Sequence, residues 1–432
     1  MKNKLKEEEI KRNEKYPEKS CLPLLFDFMN ILTFRLMHMK YRILFTFLLM
    51  CVAISLHAQS IPRVTPAAVG MDAQRMAYAD TAIQKAIDNE EIPGAVLAVV
   101  RFDKLAYLRA YGMQQVHPEK IPMNENAVFD LASVSKVIST TLSCMILIEQ
   151  GKLRLYDNVS LYIPEFKPWV DTLTQRRTEI KIINLLTHTS GLPAYASLEE
   201  LQKVYSTPNP DGMIEYISNV SRLSEPRKQC RYSCLNFITL QRIIELISGQ
   251  SLQIFARENI FKPLHLKHTD YNPVGETLYQ AVPTEPDRVP TGTVHDPLAR
   301  VMNGGVSGNA GVFSNAEDLS VLAAMLLNGG ELNGVRILGP LTVRTMSKVP
   351  SGYEDFGRTL GWDTWGSNQG DLFGPYSYGH TGFTGTSIVL DPETKTAVIL
   401  LTNCVHLKTG TSIRLRNLIS NIVAGSIIEL SE

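Results

Sequence analysis

The chain is 432 residues long and carries 43 basic and 43 acidic side chains, for a formal net charge of zero. A neutral balance gives no electrostatic case for nucleic acid as a partner. The composition is that of a globular protein with room for one large or two medium domains, and beyond the N-terminal leader no permanent membrane span is expected.

Residues 1–58 read as a leader. Met1 to Ser20 is charged and without pattern, and the apolar stretch Leu22 to Met37 is interrupted by Asp27 and Arg35. The pattern changes at Met39-Lys40-Tyr41-Arg42, a basic start followed by the apolar run Ile43 to Leu56 and then His57-Ala58-Gln59-Ser60. A basic start, about 14 apolar residues and a small residue before a polar stretch describe a secretory signal peptide. The run is too short to span a bilayer comfortably. Translation is therefore expected to start at Met37 or Met39, with cleavage near Ala58 and a periplasmic or secreted product; a genuine N-terminal anchor is the alternative. Met50 is a poor residue before a lipobox cysteine, so Cys51 does not make this a lipoprotein.

Of six cysteines, Cys21 and Cys51 fall in the leader. Cys144, Cys230, Cys234 and Cys404 are scattered and form no disulfide framework. A Cys230–Cys234 bridge would close a very short loop and strain it. No Cys/His spacing resembles a zinc site, His265 and His268 read as surface residues of a Pro-flanked loop, and no metal or cofactor is implied.

In chain order, Met76 to Ile92 alternates helically. Ala95 to Val100 and Leu105 to Tyr111 are strands of a hairpin turning at Arg101 to Lys104. A loop with Pro118 and Pro122 leads to Leu131-Ala132-Ser133-Val134-Ser135-Lys136. Apolar residues then recur at Val137, Ile138, Leu142, Met145, Ile146 and Ile148, which predicts a buried helix ending at Gly151. Helices are expected over Ile180 to Leu186 and Phe237 to Ile247, with Pro-rich linkers between. Asn303 to Gly311 is a glycine-rich loop and Ala316 to Leu327 a helix. Ser387 to Leu390 and Ala397 to Asn403 flank a turn at Asp391 to Lys395, and Ile413 to Val423 is a final helix. Strands at both ends with helices between predict an α+β domain over 59–432. Its sheet region is about 59–130 and 290–432, with a mostly helical region at about 131–289.

The Ser133 stretch suits covalent chemistry. A serine hydroxyl is a poor nucleophile until a base takes its proton. Lys136, at i+3, shares its face of the helix and could act if its pKa fell well below about 10.4. The helix start also offers N–H groups to an oxyanion. An ordinary Ser N-cap before a surface Lys explains the pair equally well. Tyr232, in Arg231-Tyr232-Ser233-Cys234, could shuttle a proton to the leaving group. In Gly379-His380-Thr381-Gly382-Phe383 a glycine-bearing strand lets the backbone approach a ligand. There the N–H of Phe383 could complete an oxyanion hole with that of Ser133.

Taken in order, these motifs resemble the serine β-lactamase and penicillin-binding protein superfamily, in particular its class C β-lactamase-like and esterase branch, which carries S-x-x-K, Y-x-N and K-T-G or H-x-G. Ile92-Pro93-Gly94-Ala95, Leu185 to Pro193, Pro263-Leu264, Gly304-Gly305 to Asp318 and Leu401-Thr402-Asn403 extend the match over most of residues 60 to 425. The resemblance implies a β-lactamase/transpeptidase-like fold. It also implies Ser133, Lys136 and Tyr232 as catalytic residues, and Cys234, His380, Thr381, Gly382 and Phe383 as substrate-binding residues. The implied substrate is a small-molecule or peptide acyl compound: an ester, a D-amino-acid peptide or amide, or a β-lactam. Tyr156-Asp157-Asn158 and Lys408-Thr409-Gly410 match two motifs literally but fall at the wrong places, the second being expected to lie clear of the serine. Two departures stand out. Cys234 replaces the Asn of Y-x-N, and His380 makes a fixed positive charge a titrating one. Both point away from an efficient β-lactamase, and a penicillin-binding-like protein without efficient turnover is the alternative to a hydrolase.

Overall fold

The computed structural model describes residues 40, 42 and 61–432, apart from 286, 365–367, 408–409 and 432. The expected starts at Met37 or Met39, the cleavage point near Ala58, and Cys21 and Cys51 lie outside the described residues.

One sheet is built from both ends of the chain. Its strands are β1 (Gly94–Arg101), β2 (Lys104–Gln115), β3 (Ile121–Pro122), β4 (Tyr378–Thr381), β5 (Ser387–Asp391) and β6 (Thr396–Thr402), in the order β4-β5-β6-β1-β2-β3. β1 pairs antiparallel with β6 from Ala95↔Thr402 to Arg101↔Thr396, which joins the two hairpins the sequence predicts. Phe102 and Asp103 both have positive φ, 50° and 57°, the geometry of a two-residue turn matched to strand twist. At the other hairpin the Asp391 carboxylate accepts from the backbone N–H and hydroxyl of Thr394, at 3.0 and 2.6 Å.

The helices that frame the site are α1 (Ala73–Asp88), α2 (Leu142–Glu149), α3 (Cys234–Ser248), α4 (Ala316–Leu327) and α5 (Ile413–Ser426). α1 begins three residues earlier than its apolar pattern suggests, because Asp72 caps it by accepting from the N–H groups of Gln74 and Arg75. Side chains of a strand alternate between faces. Ala95, Leu97 and Val99 of β1 therefore enter one core with α1 and α5. Val96, Ala98 and Val100 enter the larger core with α2, α3 and α4. Covering both faces explains why Ala95 to Val100 is an unbroken apolar run, each fully buried Val or Leu contributing roughly 1.5–3 kcal/mol.

The Ser133 segment departs from the regular helix expected. Ser133 sits in a 3-10 turn, Ala132–Val134, followed by π-helical Lys136–Thr141 and only then by α2. Ala132 has φ 46°, and the Asp130 carboxylate accepts its N–H at 2.8 Å. A hydrophobic run carries no sign of such a widened turn, a form often found at functional sites. Ala132–Glu149 is apolar and long enough to cross a membrane, yet 83% of it is buried inside the protein, as a core helix should be.

Candidate active site

A small sheet sets the serine against the glycine-rich loop. Phe129–Asp130 and Asp270–Tyr271 both pair with Val312–Ser314, and the N–H of Leu131 donates to the Val312 carbonyl at 3.0 Å. The loop that enters Val312 is thereby laid over the π-helical turn. Thr140 ties the two by donating its hydroxyl to the Gly308 carbonyl at 2.7 Å.

Lys136 is fully buried in this arrangement. Its ammonium donates to Ser133 Oγ at 3.0 Å, to the Asn309 carbonyl at 2.8 Å and to Cys234 Sγ at 3.6 Å. The rings of Tyr232 and Phe237 lie 5.0 and 5.7 Å from Nζ. Lys136 is thus no surface lysine, and the plain N-cap explanation of the pair falls away. Burial pushes its pKa down, but the Cys234 and Tyr232 side chains as anions push it up, and the net direction is up. The lowered pKa that the sequence reading made the condition for a base is not found here, because the two anionic partners outweigh burial. The Cys234 thiol is itself pushed up by burial against the pull of Lys136, so near neutral pH it carries its proton.

α3 starts at Cys234, which puts Tyr232 just outside its N-terminus. His188 holds that approach. Its Nδ1 accepts from the N–H of Ser233 at 3.1 Å and from Asn236 Nδ2 at 3.2 Å, and its carbonyl accepts from the N–H of Arg231 at 2.8 Å. Asn236 is oriented by the Ser190 hydroxyl, which donates to its Oδ1 at 2.6 Å. The His188 and Tyr232 ring centroids are 4.4 Å apart. An Nδ1 facing two donors requires a neutral ring, and burial, then Arg358, Lys136 and His380, push this pKa well below its ordinary value.

Ser133, Tyr232, His380, Thr381, Gly382 and Phe383 line one cleft of about 670 Å³. Lys136 and Cys234 stand behind it. Phe383 is 73% exposed and stacks on His295 with centroids 5.6 Å apart. His380 is buried and donates from Nδ1 to the Thr381 carbonyl at 2.9 Å. Burial, then Lys136 and Arg358, push its pKa well below the ordinary value, so it is neutral at physiological pH rather than a titrating charge. The sequence reading missed two cations that line the cleft, Arg416 and, beside Tyr232, Arg358. Arg358 faces the Tyr232 ring at 5.6 Å and pairs with Asp363 at 3.6 Å. Nothing in its Gly-flanked loop marks it in the sequence. His188 lay inside a quoted motif without a role, and Asn309 inside the glycine-rich loop.

The two literal decoys divide. Tyr156 is exposed, in a separate depression with Lys181 and Tyr353. Lys408 and Thr409 lie outside the described residues, but Gly410 lines the far end of the cleft beside α5. Cys144, Cys230, Cys234 and Cys404 are all free. His265 is exposed and His268 half-buried. Among the described residues no three His, Cys, Asp or Glu side chains gather closely enough to hold a metal ion.

A family model described as beta-lactamase matches residues 79–419. The chain is 33% identical over 347 residues to a Bacillus subtilis protein named N-acetylmuramyl-L-alanine amidase, covering 73% of this chain and 78% of that one. It is 32% identical over 404 residues to a Salmonella typhimurium protein named "Putative D-alanyl-D-alanine carboxypeptidase", covering 85% and 92%. Among solved structures, EstCE1, a hydrolase with promiscuous acyltransferase activity, superposes with a TM-score of 0.66 at 26% identity, over 82% of this chain and 99% of that one. The octameric penicillin-binding protein homologue from Pyrococcus abyssi shares the fold, with a TM-score of 0.58 at 20% identity over 76% and 73% of the two chains.

Proposed function

Since the chain belongs to the beta-lactamase family of serine hydrolases, we propose that it works through an acyl-enzyme on Ser133. The observation that carries this reading is the buried Lys136 amine 3.0 Å from Ser133 Oγ, the reach a base needs. Lys136, as the free amine, takes the hydroxyl proton while Ser133 Oγ attacks the acyl carbon. The N–H groups of Ser133 and Phe383 hold the oxyanion. Tyr232 passes the proton to the leaving group, whose bond to the acyl carbon breaks. Water then hydrolyses the ester on Ser133. Thr381, Gly382 and His380 form the wall along which the substrate lies.

For the substrate we propose a D-amino-acid peptide or amide, or a small ester. The names of the Bacillus and Salmonella relatives support the first two and EstCE1 the last. A β-lactam is the lesser candidate, because Cys234 stands in place of an amide and His380 is neutral. Arg358 supplies the fixed positive charge that His380 does not, which suits a substrate bearing a carboxylate. Arg358→Met is expected to lower kcat/KM for a carboxylate-terminated D-alanyl peptide about tenfold, the loss of one charge-assisted bond, and to leave a neutral ester nearly unchanged. A panel of the two substrates measures the ratio, and an unchanged ratio would remove Arg358 from recognition.

The leader supports export, with cleavage near Ala58. Intact-mass analysis of the exported protein checks this, and a species that retains residues before Met37 would end it.

The second reading is a protein that acylates and turns over poorly. The raised pKa of Lys136 beside Cys234 favours it. A fluorescent β-lactam or fluorophosphonate that labels without any hydrolysis of the substrate panel would select it.

A further inference from the structure

The turn that borders the serine is held by a buried cation. After β4 the chain turns through Gly382, Phe383, Thr384 and Gly385 into β5. The N–H of Gly382 donates to the Thr386 carbonyl at 2.7 Å, and the N–H of Gly385 to the Gly382 carbonyl at 3.1 Å. The turn is pressed against the entrance to Ser133. A Cβ at Gly382 would lie 2.2 Å from Thr386 Oγ1 and 2.4 Å from the Leu131 carbonyl. Two hydroxyls cross-link it to that entrance, Thr384 donating to the Asp130 carbonyl at 2.7 Å and Thr386 to the Leu131 carbonyl at 3.0 Å.

Arg416 of α5, only 8% exposed, reaches the turn from the part of the cleft wall that α5 supplies. Its Nη2 donates to the Gly382 carbonyl at 2.7 Å and to the Thr386 carbonyl at 3.0 Å. The Gly382 carbonyl and the Phe383 N–H are the two ends of one planar peptide group. We propose that Arg416 is a positioning residue that strengthens the oxyanion hole, by polarising through the Gly382 carbonyl the peptide whose N–H meets the oxyanion. The proposal rests on the reading above that Ser133 and Phe383 form that hole.

A charge-assisted bond to a carbonyl draws electron density toward that end of the amide, so the N–H at the other end becomes a better donor. Burial magnifies the effect, since the guanidinium acts in a medium of lower dielectric than water. Burial also lowers the pKa of Arg416, to about 10, which leaves it charged at neutral pH. An anion that exists only in the transition state gains from this and a ground-state carbonyl gains little, so the contribution falls on kcat. The two threonine links keep the polarised N–H at a fixed distance from that of Ser133.

A merely structural tie between α5 and the turn would lower stability and leave transition-state binding intact at sites that fold. The test compares wild type, Arg416→Lys and Arg416→Met in the purified protein. It measures kcat and KM on a p-nitrophenyl ester, the Ki of a phenylboronic acid that forms an anionic tetrahedral adduct on serine, and the thermal midpoint. Removing an oxyanion donor outright costs about 10²–10³-fold, so weakening one through its peptide is expected to cost about tenfold in kcat for Arg416→Met, with KM changed by less than about threefold. The boronate Ki should rise by the factor by which kcat/KM falls, and Arg416→Lys should recover most of both. If Arg416→Met does not fold, Arg416→Lys against wild type still serves: its kcat/KM and Ki must move together by about twofold or more, since the lysine keeps the charge but loses the fork. An unchanged kcat per labelled site and an unchanged Ki overturn the proposal and leave the serine assignment standing. Full boronate affinity in Ser133→Ala would instead overturn the serine assignment, and the proposal with it.

Discussion

Ser133→Ala is expected to abolish covalent labelling by a fluorophosphonate and to bring ester hydrolysis down to background, a loss on the order of 10⁴–10⁶ in kcat if the group acts as a unit. The reason is local. Ser133 is the hydroxyl that both faces the cleft and accepts a buried amine at 3.0 Å. Its neighbour Ser135 is turned inward, where its Oγ accepts the N–H of Val312 at 3.0 Å and is taken up in holding the small sheet. Fold stability should change by less than about 1 kcal/mol, because the hydroxyl is half-buried and the methyl that replaces it needs no partner. Labelling intensity and the thermal midpoint of the two proteins check both halves. Undiminished labelling in the alanine variant would remove Ser133 as the nucleophile.

The parts of the molecule that the sequence made legible are those encoded by local pattern. The hairpin strands Ala95 to Val100 and Ala397 to Asn403 are apolar runs bounded by turn residues, and they pair with each other as the two-ended sheet requires. Ser133 and Lys136 were legible because three residues of spacing bring side chains together in almost any helical turn, the 3-10 and π forms seen here included. What stayed hidden depends on distant chain. The charge state of His380 follows from burial and from two cations, Lys136 and Arg358, that reach it from remote positions. Arg358 comes from a loop without periodicity, so no pattern marked it. Arg416 falls on the final helix at a position that reads as a solvated charge, and only the turn after β4 makes it a buried donor. Cys234 was recognised as a departure, but its effect on Lys136 is a property of two side chains that meet across 98 positions of chain.

That meeting governs the second large effect. Lys136→Met should lower kcat by at least about 10³-fold while leaving the protein folded, since groups that act as a unit are lost together. Met is the better substitution than Ala here, because it keeps most of the buried volume and avoids a cavity. Its thermal midpoint is expected to fall modestly, because the site favours the ammonium over the free amine and the Asn309 carbonyl loses its donor at 2.8 Å. The pH profile separates the base from a structural lysine. The rate needs Lys136 as the free amine, so kcat/KM should rise with pH as the cluster loses its first proton. In the wild type that proton can leave from Cys234 instead, and the thiolate then holds the ammonium in place and delays the competent form. Cys234→Asn removes the thiolate and offers a carbonyl oxygen in its place. The rising limb should therefore move to lower pH, and kcat at neutral pH should increase several-fold, within the roughly 0.5–1.5 kcal/mol of one neutral hydrogen bond. Both variants are measured on one neutral ester across the alkaline range, under reducing conditions and alongside thermal melts. A limb that stays put in Cys234→Asn, or a fall in kcat at equal stability, would mean that the thiol suits the native chemistry and that Lys136 does not owe its raised pKa to Cys234.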